Sequence, residues 1–242
     1  GALRGFDVEL YEKTGKLGGA FIAASSMDFK EEDKKLLKWY EKQMKDLKIQ
    51  VHLNTEVNEE LLRDLAADAL IIATGASEKR IPVPGADGPN VMDAKTYLTG
   101  KQDPPEHTVV IGGGLTGCEV AYSIAKQGKS VSIVEMQPDI INVPGLCKVN
   151  KDMLKDLLVF HNVDVYRSAA LKEIREKEVV ISIAGEESVL KADQVILSIG
   201  YKAHPLEVSP AKTALYRIGD CVKAGNLLDV IWGAYETMQN LS

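Results

Sequence analysis

The 242-residue sequence offers little with which to build a site from side chains alone. Its three cysteines, Cys118, Cys147 and Cys221, are too far apart for a CxxC redox pair, a close-spaced metal cluster or an even-numbered disulfide framework. The four histidines, His52, His107, His161 and His204, share no metal-ligand spacing, so no metal site is expected. No uncharged apolar stretch approaches the ~18 residues of a membrane helix, and no basic-then-apolar leader opens the chain. Positive charge is scarce too. Lys and Arg total 29 against 35 acids, a net charge of −6 that argues against a broad nucleic-acid footprint or an anionic membrane surface. With 45% hydrophobic and 26% charged residues, a disordered tail or coiled coil cannot account for most of the length. What is left is a folded protein of one large or two modest domains, with cysteine usage that suits a reducing, cytoplasmic setting.

What the sequence does contain is a repeat. Ala2–Glu12 (ALRGFDVELYE) aligns with Ala125–Glu135 (AKQGKSVSIVE) at an offset of 123. In the second copy this segment follows Thr-Val-Val-Ile-Gly-Gly-Gly-Leu-Thr-Gly, which reads as a strand, a glycine turn and a helix start. Subtracting the offset from Thr108 gives −15, so the matching strand, turn and most of the helix of the first unit are expected to be absent from this chain. The rest alternates between strands and helices. Leu36, Leu37, Tyr40, Met44 and Leu47 mark one face of a charged helix over 31–48. Ala69–Ala73 reads as a buried strand, and a Pro/Gly cluster at 82–89 reads as a linker or crossing. Short strands over 163–191 suggest a meander, which is expected in each unit. The chain ends in a strand, the turn Gly219-Asp220 and a helix capped near Asn226.

Gly112, Gly114 and Gly117 form G-x-G-x-x-G after an apolar strand and at the start of a helix, with Glu135 closing the next strand. In that context the first glycine permits a tight turn, the second lets the backbone approach a pyrophosphate, and the third allows close helix packing. Glu135 would accept hydrogen bonds from the adenosine ribose hydroxyls and would repel a 2′-phosphate, which selects NAD over NADP. Glu12 is its repeat counterpart and by the same logic would hold the ribose of a second adenine dinucleotide. Gly219 and Asp220 place a carboxylate where it would bind a sugar-alcohol hydroxyl. Glu119 has two readings, a group near the nicotinamide or a solvated first-turn glutamate favoured by the helix dipole.

The order Leu-Tyr-Glu-Lys (10–13) with Gly18-Gly19, Ala-Thr-Gly-Ala (73–76), the 109–119 motif, Ile-Val-Glu (133–135) and Ile-Gly-Asp-Cys (218–221) resembles the two-dinucleotide-binding-domain flavoproteins. Within them the chain is most similar to the C-terminal half of the NADH:flavin oxidoreductases of the 2,4-dienoyl-CoA reductase, enoate reductase and trimethylamine dehydrogenase type. That resemblance implies that Glu12, Gly18, Gly19, Thr74, Gly75, Gly219 and Asp220 bind FAD, while Gly112, Gly114, Gly117 and Glu135 bind NAD(H). It also implies a partner barrel domain holding FMN and an iron–sulfur cluster, neither of which this sequence contains.

The expected fold is therefore α/β, with two interleaved Rossmann-like three-layer units. An NAD domain at 106–203 would be inserted into an FAD-type domain made of 1–105 and 204–242. The expected function is the pyridine-nucleotide half of a flavin oxidoreductase, in which hydride passes from NADH to flavin and no side chain is needed as a catalytic acid or base. Two alternatives stay open: a nucleotide-binding or docking module without redox activity in isolation, and a stand-alone NADH oxidase or ferredoxin reductase.

Overall fold

A computed structural model describes residues 1–65, 67–100, 102–208 and 213–241. In chain order the first elements are β1 (Glu9–Tyr11), α1 (Ala20–Ala24), α2 (Glu31–Asp46), β2 (Gln50–His52), α3 (Glu59–Asp64), β3 (Ala69–Ile72) and β4 (Ala76–Glu78). They continue with β5 (Val91–Asp93), α4 (Ala94–Thr99), β6 (His107–Ile111), α5 (Leu115–Ala125), β7 (Ser130–Val134), α6 (Lys148–Phe160) and β8 (Asp164–Tyr166). The last are β9 (Ala169–Ile174), β10 (Glu178–Ile183), β11 (Glu186–Lys191), β12 (Gln194–Leu197), β13 (Tyr201–Ala203), β14 (Ala214–Arg217) and α7 (Leu227–Asn240). The fold is α/β, and the chain divides into two compact units. One is Gly1–Ser25, Glu31–Ser77 and Tyr201–Ser242; the other is Ser26–Lys30 and Glu78–Gly200.

The second unit is a three-layer structure. Its central sheet has the order β5-β12-β6-β7-β8 with every pair parallel. Strand β6 lies in the middle because Val109, Val110 and Ile111 are apolar on both faces, the pattern of a strand covered on both sides. On one face Val110, Ile133 and Ile196 join Ile124 of α5, Leu154 and Leu158 of α6, and Tyr97 of α4. On the other, Val109, Val134 and Val195 join Leu171, Val179 and Ile181 of the antiparallel meander β9-β10-β11. Each of the buried aliphatic side chains among them contributes roughly 1.5–3 kcal/mol relative to exposure.

Residues 78–105 group with this unit. Strand β5 extends the central sheet through Val91–Asp93 paired with Val195–Leu197, and Tyr97 of α4 is in the core. The Pro/Gly segment lies against the meander instead of spanning between domains. Pro84 O accepts the Ile174 N–H at 2.9 Å, and a Cβ at Gly85 would meet Ile174 O at 1.8 Å.

Among the described residues the first unit contains two separate parallel pairs, β1-β2 and β3-β14. Strands β4 and β13 pair with each other. Among the described residues this unit shows no counterpart of the three-stranded meander β9-β10-β11. The 76–78 and 201–203 stretches, each three residues long, satisfy one another in its place. The C-terminal helix α7 begins with a full capping box. Asn226 Oδ1 accepts the Asp229 N–H at 3.0 Å, and Asp229 returns the bond to the Asn226 N–H at 3.1 Å. Along one stripe of α7, Leu228, Ile231, Trp232 and Tyr235 remain exposed.

Candidate functional site

Strand β6 delivers the chain into the turn Gly112-Gly113-Gly114, and Gly114 is the N-cap of α5. Gly112 has φ 105°, and its N–H donates to Val134 O at 2.8 Å. A Cβ at Gly117 would stand 2.0 Å from Gly112 O, so only glycine lets the first turn of α5 seat on the strand end. Around Gly114 no atom lies within 4 Å of an added Cβ. The three motif glycines thus differ in what they do: one turns the chain, one keeps open the space before the helix N-terminus, and one permits close packing. The N–H groups of the first turn are unsatisfied within the helix and attract an anion.

Glu135 follows β7 and is fixed by its backbone neighbours. Its Oε2 accepts the Gly113 N–H at 2.6 Å and its Oε1 accepts the Gln137 N–H at 2.7 Å. The carboxylate is therefore oriented beside the glycine turn, with lone pairs to spare for hydroxyl donors. Gly113, between the motif positions, is constrained as well. The unbroken run of three glycines marks it in the sequence, and a Cβ there would meet Ile140 Cγ2 at 2.6 Å and Glu135 Cβ at 3.1 Å.

Glu12 reproduces this arrangement at the end of β1. Its Oε1 accepts the Thr14 N–H at 2.7 Å, as Glu135 does from Gln137. Its N–H donates to His52 O at 2.9 Å, matching the 2.8 Å bond from Glu135 to Tyr166 O. Thr55 N–H donates to Glu12 O at 3.0 Å and Ala169 N–H to Glu135 O at 2.9 Å. Even the left-handed residues correspond, Asn54 with φ 53° and Ser168 with φ 50°. The repeat seen in the sequence is thus a repeat of hydrogen bonds.

The other first-unit residues occupy turns. Gly18 has φ 121°, and a Cβ there would meet Ile22 and Leu37 at 2.8 Å; Gly19 is the N-cap of α1 with open space around it. Thr74 Oγ1 donates to His204 O at 2.8 Å, and Gly75, with φ 78° and open space, receives the His204 N–H on its carbonyl at 3.2 Å. Gly219 and Asp220 lie in a 3-10 turn, where Asp220 Oδ1 accepts the Gly225 N–H at 3.1 Å. Glu119 forms an ion pair with Lys30 at 2.6 Å and is only 14% exposed, which removes the reading of a free solvated glutamate.

Cys118 is fully buried, and burial pushes its thiol up to about 12, with the Glu135 and Glu119 carboxylates adding to the shift. Cys221 is buried and donates to Ile218 O and Ile72 O. Neither is placed for thiol chemistry. Among the described residues no group of three or more His, Cys, Asp or Glu side chains could hold a metal, and no helix is long and apolar enough to cross a membrane.

Residues 58–222 match the family described as pyridine nucleotide-disulphide oxidoreductase. The chain is 39% identical to the cinnamate reductase of Clostridium sporogenes over 244 residues, covering 99% of this chain and 36% of that protein. It is 30% identical to an NADH oxidase of Thermoanaerobacter brockii over 247 residues, covering 97% of this chain and 37% of that protein. Among solved structures, a 2-naphthoyl-CoA reductase in complex with 2-naphthoyl-CoA superposes with a TM-score of 0.88 at 27% identity, over 99% of this chain and 37% of that one. The chain thus spans little more than a third of the length of these relatives.

Proposed function

Because the chain belongs to the pyridine nucleotide-disulphide oxidoreductase family, we propose that it is the NADH- and FAD-binding half of a flavin oxidoreductase of the enoate-reductase type. The observation that carries this reading is the Glu135 carboxylate held beside the Gly112–Gly117 turn by two backbone N–H groups. An adenosine ribose fits it, because an oriented carboxylate accepts two hydroxyls without reorganising. A 2′-phosphate does not, because it would meet a like charge with Met136 and Gln137, and no arginine, following.

In this reading the first turn of α5 binds the nucleotide pyrophosphate through its N–H groups, and Gly114 keeps that approach clear. Glu12 binds the flavin-side ribose, Gly18, Gly19, Thr74 and Gly75 line the flavin approach, and Gly219 with Asp220 receives the ribityl hydroxyls. The matching Glu12 and Glu135 hydrogen bonds and the open space at Gly19 and Gly75 support this assignment. When bound, NADH and FAD would supply the hydride-transfer chemistry, with an FMN and iron–sulfur domain or another acceptor as the electron partner. The chain's own residues bind, orient and exclude water, and none is assigned as a catalytic acid or base. The three free cysteines support a reducing, cytoplasmic setting.

A second reading is a nucleotide-binding module without redox activity by itself. Among the described residues, strands β1-β2 and β3-β14 are separate pairs, whereas in the second unit β6 lies between the counterparts β7 and β12 and joins them. NADH-driven reduction of an artificial electron acceptor, with FAD supplied, tests the two readings. Flavin-dependent turnover supports the oxidoreductase; NADH binding without turnover, in protein that retains flavin, favours the module.

A further inference from the structure

Ile141 is a β-branched residue with φ 55°, a left-handed backbone that such side chains rarely adopt, and it is completely buried. Strain of this kind persists only where the surroundings over-determine it. Here the surroundings lead to the glycine turn. The Ile141 N–H donates to Gly113 O at 2.7 Å, and the Cys118 thiol approaches the same carbonyl at 3.4 Å. The preceding Ile140, 2% exposed, lies against the place where Gly113 would carry a Cβ. One residue earlier, Asp139 Oδ1 accepts the Ile140 N–H at 2.9 Å. Both Asp139 oxygens are 2.7 Å from Lys155 Nζ on α6, and Lys151 Nζ is 3.7 Å away. The Lys155 hydrogen bond holds the Asp139 carboxyl below its ordinary range.

We propose that Asp139–Ile141 is a positioning clamp for the dinucleotide site: Lys155, through Asp139, keeps Ile141 in its strained form so that its N–H fixes the Gly113 peptide. The clamp rests on the nucleotide reading above. None of its residues is assigned a contact with the ligand. Its role follows from composition, since three consecutive glycines lose more backbone freedom on ordering than any other tripeptide, and no side chain of theirs can hold them. With Gly113 bonded on its N–H side by Glu135 and on its carbonyl side by Ile141, that ordering is completed before the ligand arrives.

The test is calorimetric titration of ADP-ribose and NADH into the full chain and its Asp139→Asn, Lys155→Met and Lys155→Arg variants, well below their unfolding midpoints. Asp139 is 43% exposed and Lys155 26%, so neither substitution empties the core. Both Asp139→Asn and Lys155→Met are expected to weaken both ligands by about fivefold or more, as lost pre-organisation does, with Lys155→Arg restoring affinity. A field effect behaves differently, because deleting the Asp139 charge would tighten an anionic ligand and deleting the Lys155 charge would loosen it. Opposite signs therefore overturn the clamp, as does a lowered midpoint with unchanged affinity. Wild-type protein that binds neither ligand overturns the nucleotide reading and the clamp together; wild-type binding with unaltered variants overturns the clamp alone.

Discussion

One methyl group added at Gly117 and one added at Gly114 test the site from two directions. A Cβ at Gly117 would sit 2.0 Å from Gly112 O, 1.4 Å short of the 3.4 Å at which ordinary contact begins. Neither side yields easily. Gly112 is tied to Val134 by its N–H, and Cys118 and Val120, next along α5, are completely buried. Overpacking costs about 1–3 kcal/mol, and a backbone clash in a closed core belongs at the upper end. At roughly 2–4 °C per kcal/mol for a protein of this size, Gly117→Ala should lower the unfolding midpoint by roughly 6–12 °C and weaken NADH. Gly114→Ala meets no atom within 4 Å and has φ −67°, which any residue accepts. It should melt close to the wild-type temperature, since the N-cap preference for glycine over alanine offsets the gain from a less flexible unfolded chain, yet lose about tenfold or more in NADH affinity, because in the proposed site the methyl stands where the pyrophosphate approaches. Differential scanning calorimetry and NADH titration read both effects. Gly117→Ala melting within about 1 °C of wild type would refute the packing argument. Unchanged NADH affinity in Gly114→Ala would refute the assignment of the open face.

Other perturbations give further outcomes. Asn226→Ala removes one arm of the α7 capping box and should cost about 1 kcal/mol, measured by urea denaturation; no loss would mean the cap is redundant. The Cys118 thiol titrates near 12 in the fold and near 9 unfolded, so both states hold the proton below about pH 9. Above that pH the unfolded chain releases its proton first, so this site's contribution falls as pH rises toward 12; Cys118→Ala should flatten that part of the stability profile, and an unchanged slope would contradict the burial argument. In flavin-loaded protein, Asp220→Ala and Glu12→Gln should each lower the flavin-to-protein ratio read from the visible spectrum. Unaltered stoichiometry in both would remove them from the flavin site.

Much of the candidate site's local structure was legible in the sequence because its constraints are local. The apolar run Thr108–Ile111, the spaced glycines and Glu135 at a strand end carry their meaning in order and spacing. The repeat was legible from Glu12 and Glu135, and the structure extends it to their hydrogen-bond partners. Edges were less legible. Val91–Asp93 is too short to announce a strand and joins the sheet only through its register with Val195–Leu197. Gly85 reads as a linker glycine, whereas it is required by the approach of Ile174. The backbone of Ile141 leaves no sequence mark, since isoleucine is among the least expected residues at positive φ.

The most direct measurement is calorimetric titration of the wild-type chain and Glu135→Ala with NADH and with NADPH at one ionic strength. The account predicts that wild type binds NADH about tenfold or more tightly than NADPH, and that Glu135→Ala loses roughly 1–3 kcal/mol of NADH affinity with the preference erased. NADPH binding equal to or tighter than NADH in the wild type, or a variant that keeps the preference, would contradict the role of Glu135 and the dinucleotide site built around it.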